Sequence, residues 1–245
     1  MSATDKSASL STEKTYIVAC KASAFLGHFV RARGSLPGAW FCISHPSDLT
    51  LDLLDRLKPR YVFFPHWSWI VPPQIVERYE CVCFHMTDLP FGRGGSPLQN
   101  LIQRGIGETK ITALRMTDEV DAGPIYEKRA LSLAGSAQEI FDRAYELICA
   151  MIQSLAANEP IAKAQEGQAT LFRRRRPEES RVPADAPDLH RLYDHIRMLD
   201  ADGYPRAFLD HGPWRLEFAS AQLAGDAVSA AVRFFPKPGG KEGTS

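Results

Sequence analysis

Two stretches concentrate groups able to move protons. His85-Met86-Thr87-Asp88-Leu89-Pro90 runs into the Gly-rich loop Phe91-Gly92-Arg93-Gly94-Gly95-Ser96-Pro97, and Asp121 stands further on in Val120-Asp121-Ala122-Gly123-Pro124-Ile125. A histidine beside an aspartate makes a workable acid–base pair, the carboxylate favouring the protonated ring. Asp121 precedes a Gly-Pro turn, where the backbone can approach a ligand closely. Cys81, Cys83 and His85 alternate, so on a strand they share one face, with His85 nearest the loop. Cys-x-Cys-x-His invites a metal reading. Structural zinc, however, wants four ligands and wider Cys spacing, and His66, His190, His195 and His211 stand apart, so no metal is expected.

The surrounding elements are those of an open, mostly parallel α/β sheet. Short apolar runs at residues 16–20, 39–43, 61–64 and 80–85 read as buried strands. Leu49, Leu53, Leu54 and Leu57 form one helix face, closed by Pro59; a short helix runs from Pro72-Pro73 to about residue 78. A helix is expected over residues 97–104, strands over 110–117 and 124–132, then a long helix opened by the capping box Ser136-x-x-Glu139. Sheets of this kind bind ligands at the carboxyl ends of their strands, where His85 falls.

Residues 1–14 read as a disordered lead, 15–157 as a catalytic domain, 158–168 as a linker, 169–235 as a small helix-plus-β unit and 236–245 as a disordered tail. In the small unit, residues 214–218 and 228–234 alternate apolar and polar across a Gly225-Asp226 turn. Acidic and basic residues balance at 29 each, which argues against gripping nucleic acid by bulk charge. The five cysteines, an odd number in apolar surroundings, read as reduced thiols in a cytoplasm. Neither a secretory leader nor a membrane span is apparent in the sequence.

The ordered motifs resemble the formyltransferases that use 10-formyltetrahydrofolate, a group including methionyl-tRNA formyltransferase and the sugar N-formyltransferases. Their hallmark is Asn-x-His-x-Ser-Leu-Leu-Pro, then an Arg-Gly loop, then a distant Asp-x-Gly. Residues 85–90 match from the histidine onward, Arg93-Gly94-Gly95-Ser96-Pro97 matches the loop, Glu108-Thr109-Lys110-Ile111-Thr112 the following strand, and Asp121-Ala122-Gly123-Pro124-Ile125 the aspartate segment. The resemblance covers residues 60–155 well and 15–60 loosely. Residues 172–178 and 204–208 are similar to the distal segment of the sugar N-formyltransferases.

The resemblance implies a Rossmann-like fold and transfer of a formyl group from 10-formyltetrahydrofolate to a small-molecule primary amine, with a nucleotide-linked amino sugar for surface polysaccharide as first choice. Hydroxyornithine, hydrolysis of the donor, and a weakened folate-binding homologue are the alternatives. It implies His85, Asp121 and Cys83 as catalytic positions. Trp69, Ile70, Val71, Leu89 and Val120 would hold the folate, with Trp67 also suited to a flat ring. Thr87, Arg93 and Gly94 would meet the acceptor. No nucleic acid or membrane partner is implied; a homodimer is. Two positions depart from the pattern: Asp88 replaces a leucine, and Cys83 replaces the asparagine that donates to the formyl oxygen, a thiol being the weaker donor. Arg173–176 can place only two side chains on one face, as an anion patch or as solvated strand.

Overall fold

The computed structural model describes residues 13–21 and 23–237. The disordered lead expected at 1–14 and the tail expected at 236–245 lie outside them except for residues 13, 14, 236 and 237, of which Pro236 closes a strand and the Lys14 carbonyl accepts from the Ala39 amide. Three buried runs become parallel strands: β1 (Thr15–Cys20), β3 (Tyr61–His66) and β4 (Cys81–His85), with β2 (Ala39–Ile43) beside β1. Near-continuous apolar sequence suits them because both faces of the sheet are covered. Beyond β4 the sheet turns antiparallel through β6 (Glu108–Arg115) and β7 (Ile125–Ser132), giving the order β2-β1-β3-β4-β6-β7. This mostly parallel six-stranded sheet is the expected fold class, carrying an antiparallel edge.

Alternation along β1 separates two cores. Tyr16, Val18 and Cys20 face one layer with Phe63, Val82 and Phe84, whereas Ile17 and Ala19 face the other with Val62, Phe64 and Cys81. The first layer is closed by α1 (Ser23–Ala32), α4 (Pro97–Gln103) and α5 (Ala137–Asn158); the second by α2 (Leu51–Leu57) and α3 (Pro73–Arg78). The capping box forms as read: the Ser136 hydroxyl accepts from the Glu139 amide at 3.3 Å, and the Glu139 carboxylate accepts from the Ser136 amide at 2.8 Å. Its loss costs about 1 kcal/mol.

Helix α1 carries no expectation from the sequence. Its stripe is Phe25 and Phe29, both fully buried, and Gly27 interrupts the helical signal between them. After α5 the chain does not run as a loose connector. Ile125 and Lys163 exchange backbone hydrogen bonds of 2.7 and 2.9 Å, tying the 158–168 segment to the start of β7. The two-residue strand β8 (Leu171–Phe172) then pairs in parallel with β5 (Arg93–Gly94) inside the Gly-rich loop. The distal unit is α6 (Leu189–Arg197) packed on a three-stranded antiparallel sheet of β9 (Ala207–His211), β10 (Trp214–Ala224) and β11 (Ala227–Pro236). β9 also carries no expectation from the sequence.

Candidate active site

β4 ends at His85, which is 8% exposed. Its Nε2 lies 2.8 Å from the Gly92 carbonyl oxygen, and its Nδ1 lies 3.4 Å from Asp121 Oδ2. Both ring nitrogens face acceptors, so only a ring carrying both protons donates to each. The neutral ring, with its proton directed to Gly92, leaves an Nδ1 lone pair beside the carboxylate. The histidine and aspartate singled out by residue type are therefore brought together.

The Asp121 carboxylate also accepts from the Gly94 amide at 2.9 Å. Asp121 sits in the left-handed region, φ 54°, a conformation that L residues other than Asn and Asp rarely adopt. Two residues on, a Cβ on Gly123 would come within 1.8 Å of the Arg115 carbonyl oxygen, so glycine is obligatory there. The facing loop is equally constrained. The amides of Gly92 and Arg93 donate to Thr170, at 2.7 Å to its hydroxyl and 2.9 Å to its carbonyl, and the Gly95 amide donates to Phe172 at 3.1 Å. Each amide of residues 92–95 thus has a partner within the chain.

Cys83 is half-buried on the His85 face of β4 and packs against the second core layer. Burial pushes its thiol well above the ordinary range, and the nearby Asp121 charge adds to this. It therefore remains a protonated, weak S–H donor. Asn100 offers no replacement: its amide nitrogen lies 3.0–3.1 Å from the carbonyls of Gly95, Ser96 and Arg173. Burial likewise raises the Cys81 thiol, to about 12. Among the described residues no group of three or more His, Cys, Asp or Glu side chains is placed to hold a metal.

The expected folate residues divide by exposure. Trp67 and Trp69 meet edge to face at 4.9 Å, and the Lys21 ammonium lies 5.3 Å from the Trp69 ring centre. Trp67 Nε1 is buried and finds no partner among the described residues. Ile70 is 93% and Val120 69% exposed, whereas Val71 is buried. Leu89 and Thr87 require correction. Both are fully buried, so neither presents surface to a ligand in this arrangement. The Thr87 hydroxyl instead donates to Gly92, and its carbonyl accepts from Thr112 at 2.7 Å. Arg93 spends its guanidinium inside the chain, on Gln165 at 2.9 and 3.2 Å and on Glu119 at 3.0 Å. Asp88, the other departure, pairs with Lys110 at 2.9 Å and with Lys128, away from the histidine.

Arg173–176 alternate as extended chain requires. Arg173 pairs with the Glu179 carboxylate and Arg175 donates to the Glu179 carbonyl, which leaves Arg174 and Arg176 exposed. Gln165 and Thr170 are the residues that sequence reasoning missed. Their partners, backbone groups and for Gln165 also the Arg93 guanidinium, lie far along the chain, and residue type carries no signal for them.

Comparison with known proteins sharpens this picture. A structure described as methionyl-tRNA formyltransferase from Clostridium thermocellum superposes with TM-score 0.87 at 44% identity, covering 91% of this chain and 99% of that one. The chain belongs to the formyltransferase family. Residues 177–235 match the family model described as the C-terminal domain of methionyl-tRNA formyltransferase. The methionyl-tRNA formyltransferase of Methylobacterium nodulans is 31% identical over 172 residues, covering 64% of this chain and 54% of that protein. The formyltransferase described here thus spans about half the length of that curated relative. A sugar N-formyltransferase from Shewanella shares the fold, with TM-score 0.63 at 16% identity, covering 86% of this chain and 99% of that one.

Proposed function

We propose that this formyltransferase moves the formyl group of 10-formyltetrahydrofolate to a primary amine. The observation carrying the reading is the His85–Asp121 pair, closed at 3.4 Å beneath a Gly-rich loop at the carboxyl end of β4. The donor fits the residues present: the indoles of Trp67 and Trp69, both half-buried and set edge to face, offer apolar rings for a flat ring system to pack on. When bound, the donor supplies an electrophilic formyl carbon.

The chain's own groups manage the protons. A neutral amine attacks, and as its bond to carbon forms, the Nδ1 side of His85 takes its proton directly or through a water. The resulting imidazolium has an acceptor for each N–H, in Gly92 O and Asp121. Asp121 stabilises that charge and helps return the proton to the departing folate nitrogen. By its family position, the Cys83 S–H would be the donor to the developing oxyanion. Loss of a good oxyanion donor costs about 10²–10³ in rate, so the thiol makes this step slower than a carboxamide would.

For the acceptor we propose a small molecule, first a nucleotide-linked amino sugar. The balance of acidic and basic residues in the sequence supports it. Methionyl-tRNA is the second reading, favoured by the 44% identity to a structure of that description. A homodimer and a cytoplasmic setting belong to the same proposal. The test is tetrahydrofolate release from 10-formyltetrahydrofolate, run alone, with a panel of nucleotide-linked 3- and 4-amino sugars plus hydroxyornithine, and with methionyl-tRNA. Panel-dependent release supports the first reading and tRNA-dependent release the second. Equal release in all arms indicates a hydrolase and overturns transfer.

A further inference from the structure

The geometry points to Gln165 as a positioning residue for the Asp121 carboxylate, so that the segment between α5 and β8 forms part of the catalytic apparatus. Its amide nitrogen donates to the carbonyls of Asp121 at 2.8 Å and Gly123 at 2.9 Å. Its amide oxygen accepts twice from Arg93, at 3.2 Å from Nε and 2.9 Å from Nη2. One carboxamide thus clamps both ends of the 121–123 turn while its other end is held by a guanidinium.

The connections close into a ring. Arg93 is fixed by Glu119 at 3.0 Å and by its own amide on Thr170. The next residue, Gly94, donates its amide to the Asp121 carboxylate. Asp121 is therefore held through its backbone by Gln165 and through its side chain by the neighbour of the arginine that holds Gln165. This matters because aspartate tolerates φ 54° without being confined to it, so the surrounding contacts must select that conformation. Only a side chain with two N–H donors and one acceptor at this reach fills all four contacts. Glutamate would turn an oxygen toward two carbonyls; asparagine is a methylene short.

The kinetic consequence rests on the formyl-transfer reading, but the positioning has its own readout in the Gly94 amide, whose partner is Asp121. The experiment follows hydrogen exchange of the Gly94 amide by NMR in the full chain, its Gln165→Leu and Gln165→Glu variants, Arg93→Lys, and Asp121→Asn as reference. The expected result is exchange about tenfold faster in both Gln165 variants. Release of tetrahydrofolate with the amino-sugar panel should fall about 10–100-fold in kcat, with KM for 10-formyltetrahydrofolate changed less than about threefold. Combining Gln165→Leu with Arg93→Lys should add little, because the two act as one unit.

Unchanged Gly94 exchange in the folded Gln165 variants would overturn the inference, even alongside a lower melting temperature. If Gln165→Leu does not fold, Gln165→Glu and Arg93→Lys carry the same comparison. Faster Gly94 exchange in a protein whose wild type formylates none of the panel supports the positioning and counts against the acceptor reading instead.

Discussion

Around His85 the backbone is tied at each amide of residues 92–95, to partners in two other segments. The distal sheet is built in the opposite way. Trp214 is 46% exposed, Phe234 64% and Phe235 37%, along a hairpin whose outer strand β11 pairs only with β10 among the described residues. In the first region, reactive groups are placed by backbone contacts that leave no slack. In the second, apolar side chains are displayed on a surface that the catalytic geometry does not need. One region thus spends its polar groups on internal contacts, and the other leaves apolar side chains exposed.

The strongest way to break this contrast is to remove a proton-moving group. His85→Ala and Asp121→Asn should each lower kcat about 10²–10⁴-fold with the fold intact, measured as tetrahydrofolate release beside circular dichroism. Gly123→Ala comes next. Its methyl group meets the Arg115 carbonyl, so a loss of about 2–3 kcal/mol in urea unfolding is expected, together with most activity. Cys83→Asn should act in the other direction, raising kcat about tenfold or more by restoring a carboxamide donor. A fall would show the site to be adapted to the thiol.

Smaller effects test the scaffold. Ser136→Ala should cost about 1 kcal/mol at pH 7 through the lost cap. The cap also has a pH signature: hydrogen bonds from Ser136 hold the Glu139 carboxyl below its ordinary value. A depressed folded-state value stabilises above the unfolded one, so this contribution is complete above about pH 5 and fades as acid passes the lower folded value. Glu159, held down first by Lys14 and then by Arg60 against opposing burial, behaves alike. Melting temperature should already decline slightly from pH 7 to 5, because burial holds His66 and His195 below their ordinary values and the unfolded chain takes up those protons first. It should fall more steeply below about 4, with a shallower acid fall in Glu159→Gln. Smallest of all, Phe234→Ser should change stability by under about 0.5 kcal/mol and leave tetrahydrofolate release unaltered.

The sheet, α5 and the distal hairpin were legible in the sequence because each has a local signature: buried runs, a capping box, alternation across Gly225-Asp226. Helix α1 was not, since Gly27 divides its apolar stripe. At the site, His85 and Asp121 were legible from residue type and motif order. The roles of Thr87, Leu89 and Arg93 were not, because exposure and internal partners decide them and neither is written in spacing. Gln165 was invisible for a related reason: nothing in its neighbourhood marks a glutamine whose partners are carbonyls 42 and 44 positions earlier.

The pairing of β5 with β8 also sets an order of events during synthesis. A nascent chain that has completed α5 already holds His85 and Asp121, yet it lacks Gln165, Thr170 and Phe172, which grip the loops at residues 92–95 and 121–123. Domains fold as they emerge, amino end first. The polypeptide would then pass through a stage with its sheet assembled and its reactive groups unrestrained. Competence would arrive late, when a few residues beyond the long helix leave the ribosome, so an incompletely translated chain would be inert toward its substrates.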